Sequence, residues 1–193
     1  QARAQVELTS VPGAVFEYSN VASMLLSYAV ARRAGQDYET LLKERVFRPL
    51  GMKGAYINQS ADGARAAQGH LPDGTVTSAW TFQTDLAGVG GVRATLDDMV
   101  HYVQAQLDQR PSAMDAAFRL TQREIPHDGQ ATGMNWLLAP LNGRTIHAHE
   151  GGTGGFSSFV GFDRERQRGV VVLSDTALTE PGGLGSIALH LLG

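Results

Sequence analysis

Cysteine is absent from the 193 residues, and only two of the 16 basic residues are lysines, Lys43 and Lys53. Without thiols the chain can hold no cysteine nucleophile, no thiolate-ligated zinc or iron–sulfur site and no disulfide framework. The same absence is compatible with oxidising and reducing compartments alike. No apolar run reaches the ~18 residues that a membrane-spanning helix needs, so no membrane span is expected. No n-region or h-region of a signal peptide is visible, and the chain opens Gln1-Ala-Arg rather than with Met, which predicts a processed, trimmed or cloned end. A net charge of -3 with mixed signs lacks the basic face of a nucleic-acid binder. No Gly-x-Ser-x-Gly elbow occurs, which removes the α/β-hydrolase reading.

What is present divides by period. No repeat, linker or low-complexity block interrupts residues 1–193, so a single unit is expected, able to bury roughly 70% of its unfolded surface. The first half is mainly helical. Asn20 is positioned to cap a helix to about Arg33, with Val21, Leu25, Tyr28 and Ala29 on one apolar face and Gly35 as the stop. Asp37 can cap a second helix carrying Leu41, Leu42, Val46 and Phe47, closed by Pro49-Leu-Gly51. Residues 58–74 are polar and glycine-rich, with a turn at Pro72-Asp-Gly74. Thr95-Leu-Asp-Asp98 resembles a capping box for a helix that turns Met99, Val100, Val103 and Leu107 inward.

The last third alternates instead. Met134 to Ala139 and Arg144 to Glu150 read as strands joined by a tight Asn142-Gly143 turn. A second pair, Phe156 to Asp163 and Gly169 to Ser174, flanks the charged turn Arg164-Glu-Arg166, and a helix over about Leu184 to Leu192 follows. Helices, then an antiparallel meander, then a closing helix predict an α+β layer fold.

Two segments carry candidate chemistry. His149-Glu-Gly-Gly-Thr-Gly-Gly155-Phe-Ser-Ser158 joins two predicted strands and holds four glycines between positions 151 and 155. It fits a loose hairpin connection. It equally fits a strand edge stripped of side chains, where a substrate backbone approaches closely and free N–H groups hold an oxyanion. No Gly-Lys-Ser/Thr follows, so it is not a P-loop. His147 and His149 share a strand face, which as a metal site would need a third ligand, and Glu150 points the other way. No metal is assigned.

Tyr18-Ser-Asn20 stands at a helix entrance after Pro12-Gly13. It fits a buried tyrosine beside a capping asparagine. It also fits a phenol acting as a base, since a helix N-terminus and neighbouring cations favour the phenolate. Gly183-Leu-Gly185-Ser-Ile-Ala188 mimics a dinucleotide fingerprint, but no second strand or ribose-binding acid follows it.

With both segments in this order, the chain resembles the penicillin-recognising serine hydrolases, in the branch of class C β-lactamases, serine D-Ala-D-Ala carboxypeptidases and family VIII esterases. Tyr18-Ser-Asn20 is similar to the family's Tyr-x-Asn element. His149-Glu-Gly151 is similar to its third element, Lys-Thr-Gly in class C β-lactamases and often His-x-Gly in peptidase and esterase relatives. Phe47-Arg-Pro-Leu-Gly-Met52 and the stretch from Gly88 to Met99 also resemble that branch, so the likeness covers essentially the whole chain.

The resemblance implies a β-lactamase/transpeptidase-like fold, an antiparallel sheet packed with helices, and covalent chemistry in which a serine is acylated and water releases the acyl group. Tyr18 would be general base or a relay with the family's lysine, Asn20 would bind the substrate amide, and His149 would supply the cation or donor beside the tyrosine. Gly151 and Gly152 would line the substrate edge, with the Gly152 N–H in the oxyanion hole. No cofactor is implied. Substrates would be β-lactams, D-Ala-terminated peptides or small esters, and relatives handling such compounds are commonly periplasmic or secreted.

Four departures stand out. His149 replaces lysine, which favours a peptidase or esterase over a strict β-lactamase. Glu150 stands where a small polar residue is usual, and Gly90 where class C enzymes carry a tyrosine. The family's Ser-x-x-Lys is missing: Thr40 and Leu50 lie three residues before the two lysines, and both follow Tyr18. The chain is therefore expected to be the C-terminal portion of such a hydrolase, incomplete at the N-terminus, with the nucleophile outside it. It should expose apolar surface to a complementary N-terminal segment or a swapped copy of itself. The alternative is a non-catalytic module that binds peptides or muropeptides.

Overall fold

The computed structural model describes residues 10–60, 66–109, 111–127, 129–178 and 183–193. Helix α1 (Asn20–Ala34) starts on Ser19, not Asn20: the Ser19 hydroxyl accepts from the Ala22 N–H at 3.2 Å. That correction frees the Asn20 side chain. The helix ends, as expected, on Gly35 in the left-handed conformation, φ 71°.

The apolar stripe expected to face inward does not. Val21, Leu25 and Ala29 are exposed and Tyr28 is half-buried, Leu26 and Val30 are exposed as well, and the buried positions are Ser27 and Ala31. The reason is steric. Helix α1 docks through small groups on a 3-10 turn at Thr84–Val89, where Ser27 Oγ accepts from the Gly88 N–H at 3.1 Å and donates towards the Asp85 carbonyl at 2.9 Å. A Cβ on Gly88 would lie 2.6 Å from that of Ser27.

Asp37 caps α2 (Tyr38–Leu42) through the Thr40 N–H, as read. The helix widens into a π turn at Lys43–Phe47 and closes in α3 (Arg48–Leu50), with a Schellman pair of bonds onto Arg48 and Phe47 around Gly51. Glu39 is buried at the centre of this unit. It accepts from the N–H groups of Ile57, Asn58 and Gln59, each at 3.0 Å, and pairs with Lys43 at 3.1 Å. Burial works to raise its pKa, but these four donors outweigh that and hold it below the usual carboxylate value.

The Pro72–Gly74 turn closes a small hairpin of β1 (Gly69–His70) and β2 (Val76–Thr77). Of the glycine-rich stretch before it, residues 61–65 lie outside the described residues. Thr95 and Asp98 form the expected capping box of α4 (Leu96–Gln106). Val103 and Leu107 face inward and Met99 packs on the core, but Val100 turns to solvent.

Helix α5 (Asp115–Thr121) precedes a four-stranded antiparallel sheet in the order β3 (Leu137–Leu141), β4 (Arg144–Thr153), β5 (Phe156–Asp163), β6 (Arg168–Ser174). Strand β3 starts later than Met134 because Asn135 sits at φ 60° and the Met134 N–H is held by the Thr121 carbonyl. Asn142 and Gly143 turn with φ 51° and 79°, the twist a tight hairpin requires. One sheet face packs Leu138, Phe162 and Val171 against Val103 of α4 and Leu107 at its C-terminal cap, around Trp136. The other packs Ile146, Ala148 and Phe159 against Ala188 and Leu192 of α6 (Gly183–Leu192).

Candidate active site

The glycine-rich segment is not a loose connection. Strand β4 runs through it to Thr153, with Gly151 opposite Ser158 and Gly152 opposite Ser157, and only Gly154-Gly155 turns. Strand β3 begins at Leu137, opposite Ala148, and its pairing with β4 reaches no further along β4. From His149 to Thr153, therefore, β4 has a strand on one side only among the described residues, and alternate N–H and C=O groups line its open edge.

Tyr18 meets this edge at its start. The last extended residues before α1 place its ring 6.1 Å from that of His149, tilted by 45°, and Tyr18 is 61% exposed. The two motifs lie at opposite ends of the chain, and the fold brings them to one point. Asn20 opens α1 two residues on, exposed, with no hydrogen bond from its side chain among the described residues.

Strand alternation separates the remaining residues. His147, His149 and Gly151 face the α4 side, and Glu150 and Gly152 the α6 side. Glu150 lies over the first turn of α6, where any side chain on Gly185 would collide with its carboxylate. A helix N-terminus favours a negative charge there, and the acid is directed away from Tyr18.

The glycines differ in purpose. A Cβ on Gly151 would lie 2.6 Å from Ser158 Oγ, one on Gly154 would lie 2.5 Å from Trp80 Cδ1, and Gly155 combines φ 80° with close packing on Gly69. Among the described residues nothing lies within 4 Å of a Cβ on Gly152, and its backbone makes no such demand.

His147 belongs to the core. It is 8% exposed and stacks on Phe162 with centroids 4.9 Å apart, and its Nε2 lies 3.0 Å from the Gln122 carbonyl. With the proton on Nε2, buried Nδ1 is left as a bare acceptor, so a second proton would be unpartnered. Burial pushes its pKa below the ordinary value of 6.5 and the Arg164 charge adds to that, against the Gln122 bond. Arg164 secures this support from behind, donating to Gln106 O, Gln122 Oε1 and the Asp108 carboxylate. Among the described residues no cluster of three His, Asp or Glu could hold a metal.

Neither lysine joins the site. Lys43 is committed to Glu39 and the Gln59 carbonyl, and Lys53 is exposed in the turn after α3. The sequence reading missed Trp80, whose polar surroundings show no period. It is 58% exposed, and the end of the open edge lies against it.

Comparison with known proteins identifies the family and the fold. The Beta-lactamase family model matches residues 1–192. The D-alanyl-D-alanine-carboxypeptidase/endopeptidase AmpH of Escherichia coli is 31% identical over 97% of the chain and 53% of its own length, so the chain spans about half of that relative. The D-alanine carboxypeptidase AmpC from Burkholderia cenocepacia superposes with a TM-score of 0.84 at 26% identity, over 98% of this chain and 64% of that one. A class C β-lactamase shares the fold, with a TM-score of 0.84 at 19% identity over 97% of this chain and 60% of its own.

Proposed function

Because this chain belongs to the Beta-lactamase family, we propose that it supplies half of a serine hydrolase active site, whose nucleophile lies on an N-terminal portion outside residues 1–193. The observation that carries this reading is the meeting of Tyr18 and His149 at the open edge of β4. In the proposed reaction the serine oxygen bonds to the substrate carbonyl carbon. Its proton passes to Tyr18, directly or through the lysine of the missing motif. The Gly152 N–H stabilises the oxyanion. Collapse breaks the bond to the leaving group, which takes up the proton at Tyr18. Water then cleaves the acyl-enzyme by the same route. Asn20 binds the substrate amide, Gly151 lets it approach, and His149 orients the phenol.

D-Ala-terminated peptides are the substrates this reading favours over β-lactams and esters. His149 replaces the lysine of strict β-lactamases, and the relative at 31% identity is a D-alanyl-D-alanine-carboxypeptidase/endopeptidase. Such peptides would place the protein in the periplasm or outside the cell. A complementary segment has a seat available: exposed Leu26 and Val30 of α1 border a groove of about 440 Å³, with Leu41, Leu42 and Val46 on its other wall. The test is release of D-alanine from a diacetylated Lys-D-Ala-D-Ala peptide by the full-length protein. Turnover that falls about 100-fold or more in Tyr18→Phe supports the reading. Binding without turnover would mark a recognition module instead.

A further inference from the structure

We propose that Trp80 sets substrate specificity, as an aromatic platform for the side group on the acyl half of the substrate; this rests on the reading above. An exposed tryptophan is unusual, since the residue is highly buried on average, and the chain's other tryptophan, Trp136, is buried against Tyr102 and Phe162. The backbone of Trp80 is nevertheless held. Its carbonyl accepts from Arg93 Nη2 at 3.1 Å, and the Arg93 guanidinium stands 5.8 Å over the Tyr56 ring. Two backbone bonds of 2.8 and 2.9 Å tie Arg93 to Tyr56 in turn.

The indole reaches the end of β4 because Gly154 has no side chain: a Cβ there would fall 2.5 Å from Cδ1 and 2.7 Å from Nε1. The pyrrole edge thus abuts Gly154, while Trp80 as a whole stays 58% exposed. Position along the edge decides which half of the substrate meets it. The proton donor to the leaving group is Tyr18, beside His149, so the leaving group lies at that end. The acyl half runs the other way, past Gly152 towards Gly154, two strand residues or about 7 Å further on. An aromatic or apolar side group there stacks on the indole.

The test compares acylation of the full-length protein by benzylpenicillin, which carries a phenylacetyl group, and by 6-aminopenicillanic acid, the same nucleus without it. Wild type should favour benzylpenicillin by about tenfold. Trp80→Ala should bring the ratio close to one, and Trp80→Phe should keep part of it. Gly154→Ala, which displaces the indole without removing it, should also lower the ratio and carries the test separately should Trp80→Ala fail to fold. Acylation with an unchanged ratio in the folded variants would overturn the role of Trp80 alone. Acylation by neither compound would overturn the hydrolase reading, and this inference with it.

Discussion

At the scale of single residues, two histidines two positions apart have opposite fates. His149 meets Tyr18 at an open edge, while His147 stacks in the core with its Nδ1 unpartnered among the described residues. Because burial depresses the pKa of His147, the unfolded chain binds its proton more readily than the folded one. Its contribution to stability is complete above pH 6.5 and is lost as pH falls through the depressed folded value. Thermal midpoints should therefore decline below pH 6.5, and His147→Phe should flatten that decline. Glu39 gives a larger effect. Glu39→Ala leaves three N–H groups and Lys43 without their acceptor, and urea titration should show a loss of about 3 kcal/mol or more. The Tyr18-Ser-Asn20 and His149-Glu-Gly151 motifs were legible because they are local. The work of Lys43 was not, because its partners depend on a π turn that no periodicity announces.

At the scale of elements, termini were the most legible features. Gly35, Asp37, Asn142-Gly143 and the Thr95–Asp98 box act within a few residues of themselves, and each does what its chemistry implies. Thr95→Ala should cost about 1 kcal/mol, read by chemical denaturation, since it removes the acceptor for the Asp98 N–H. Faces and extents were less legible. The apolar residues of α1 do not mark its packed face, because Ser27 against Gly88 sets that contact. The glycines of β4 suggested a loop, but pairing with β5 carries the strand through Gly151 and Gly152. Gly152→Ala should leave the thermal midpoint nearly unchanged, as the added methyl meets nothing within 4 Å among the described residues. In the full-length protein it should still weaken turnover.

At the scale of the whole molecule, α1 carries an uncovered apolar face. Val21, Leu25, Leu26 and Val30 are exposed together on α1, more apolar surface than a lone helix normally leaves in water. Residues 1–193 by themselves should bind an apolar dye and self-associate in light scattering, and co-expression with the N-terminal portion should suppress both. A monomer with a sharp cooperative melt and no dye binding would contradict that. The central claim, that Tyr18, Asn20 and the β4 edge serve a serine supplied from outside this chain, is tested most directly by mapping the acylated residue. Full-length protein is treated with benzylpenicillin, digested, and the modified peptide identified by mass spectrometry. The account predicts an adduct on a Ser-x-x-Lys serine outside residues 1–193, formed at least about 100-fold more slowly in Tyr18→Phe. An adduct on a serine within these residues, or none at all, would contradict it.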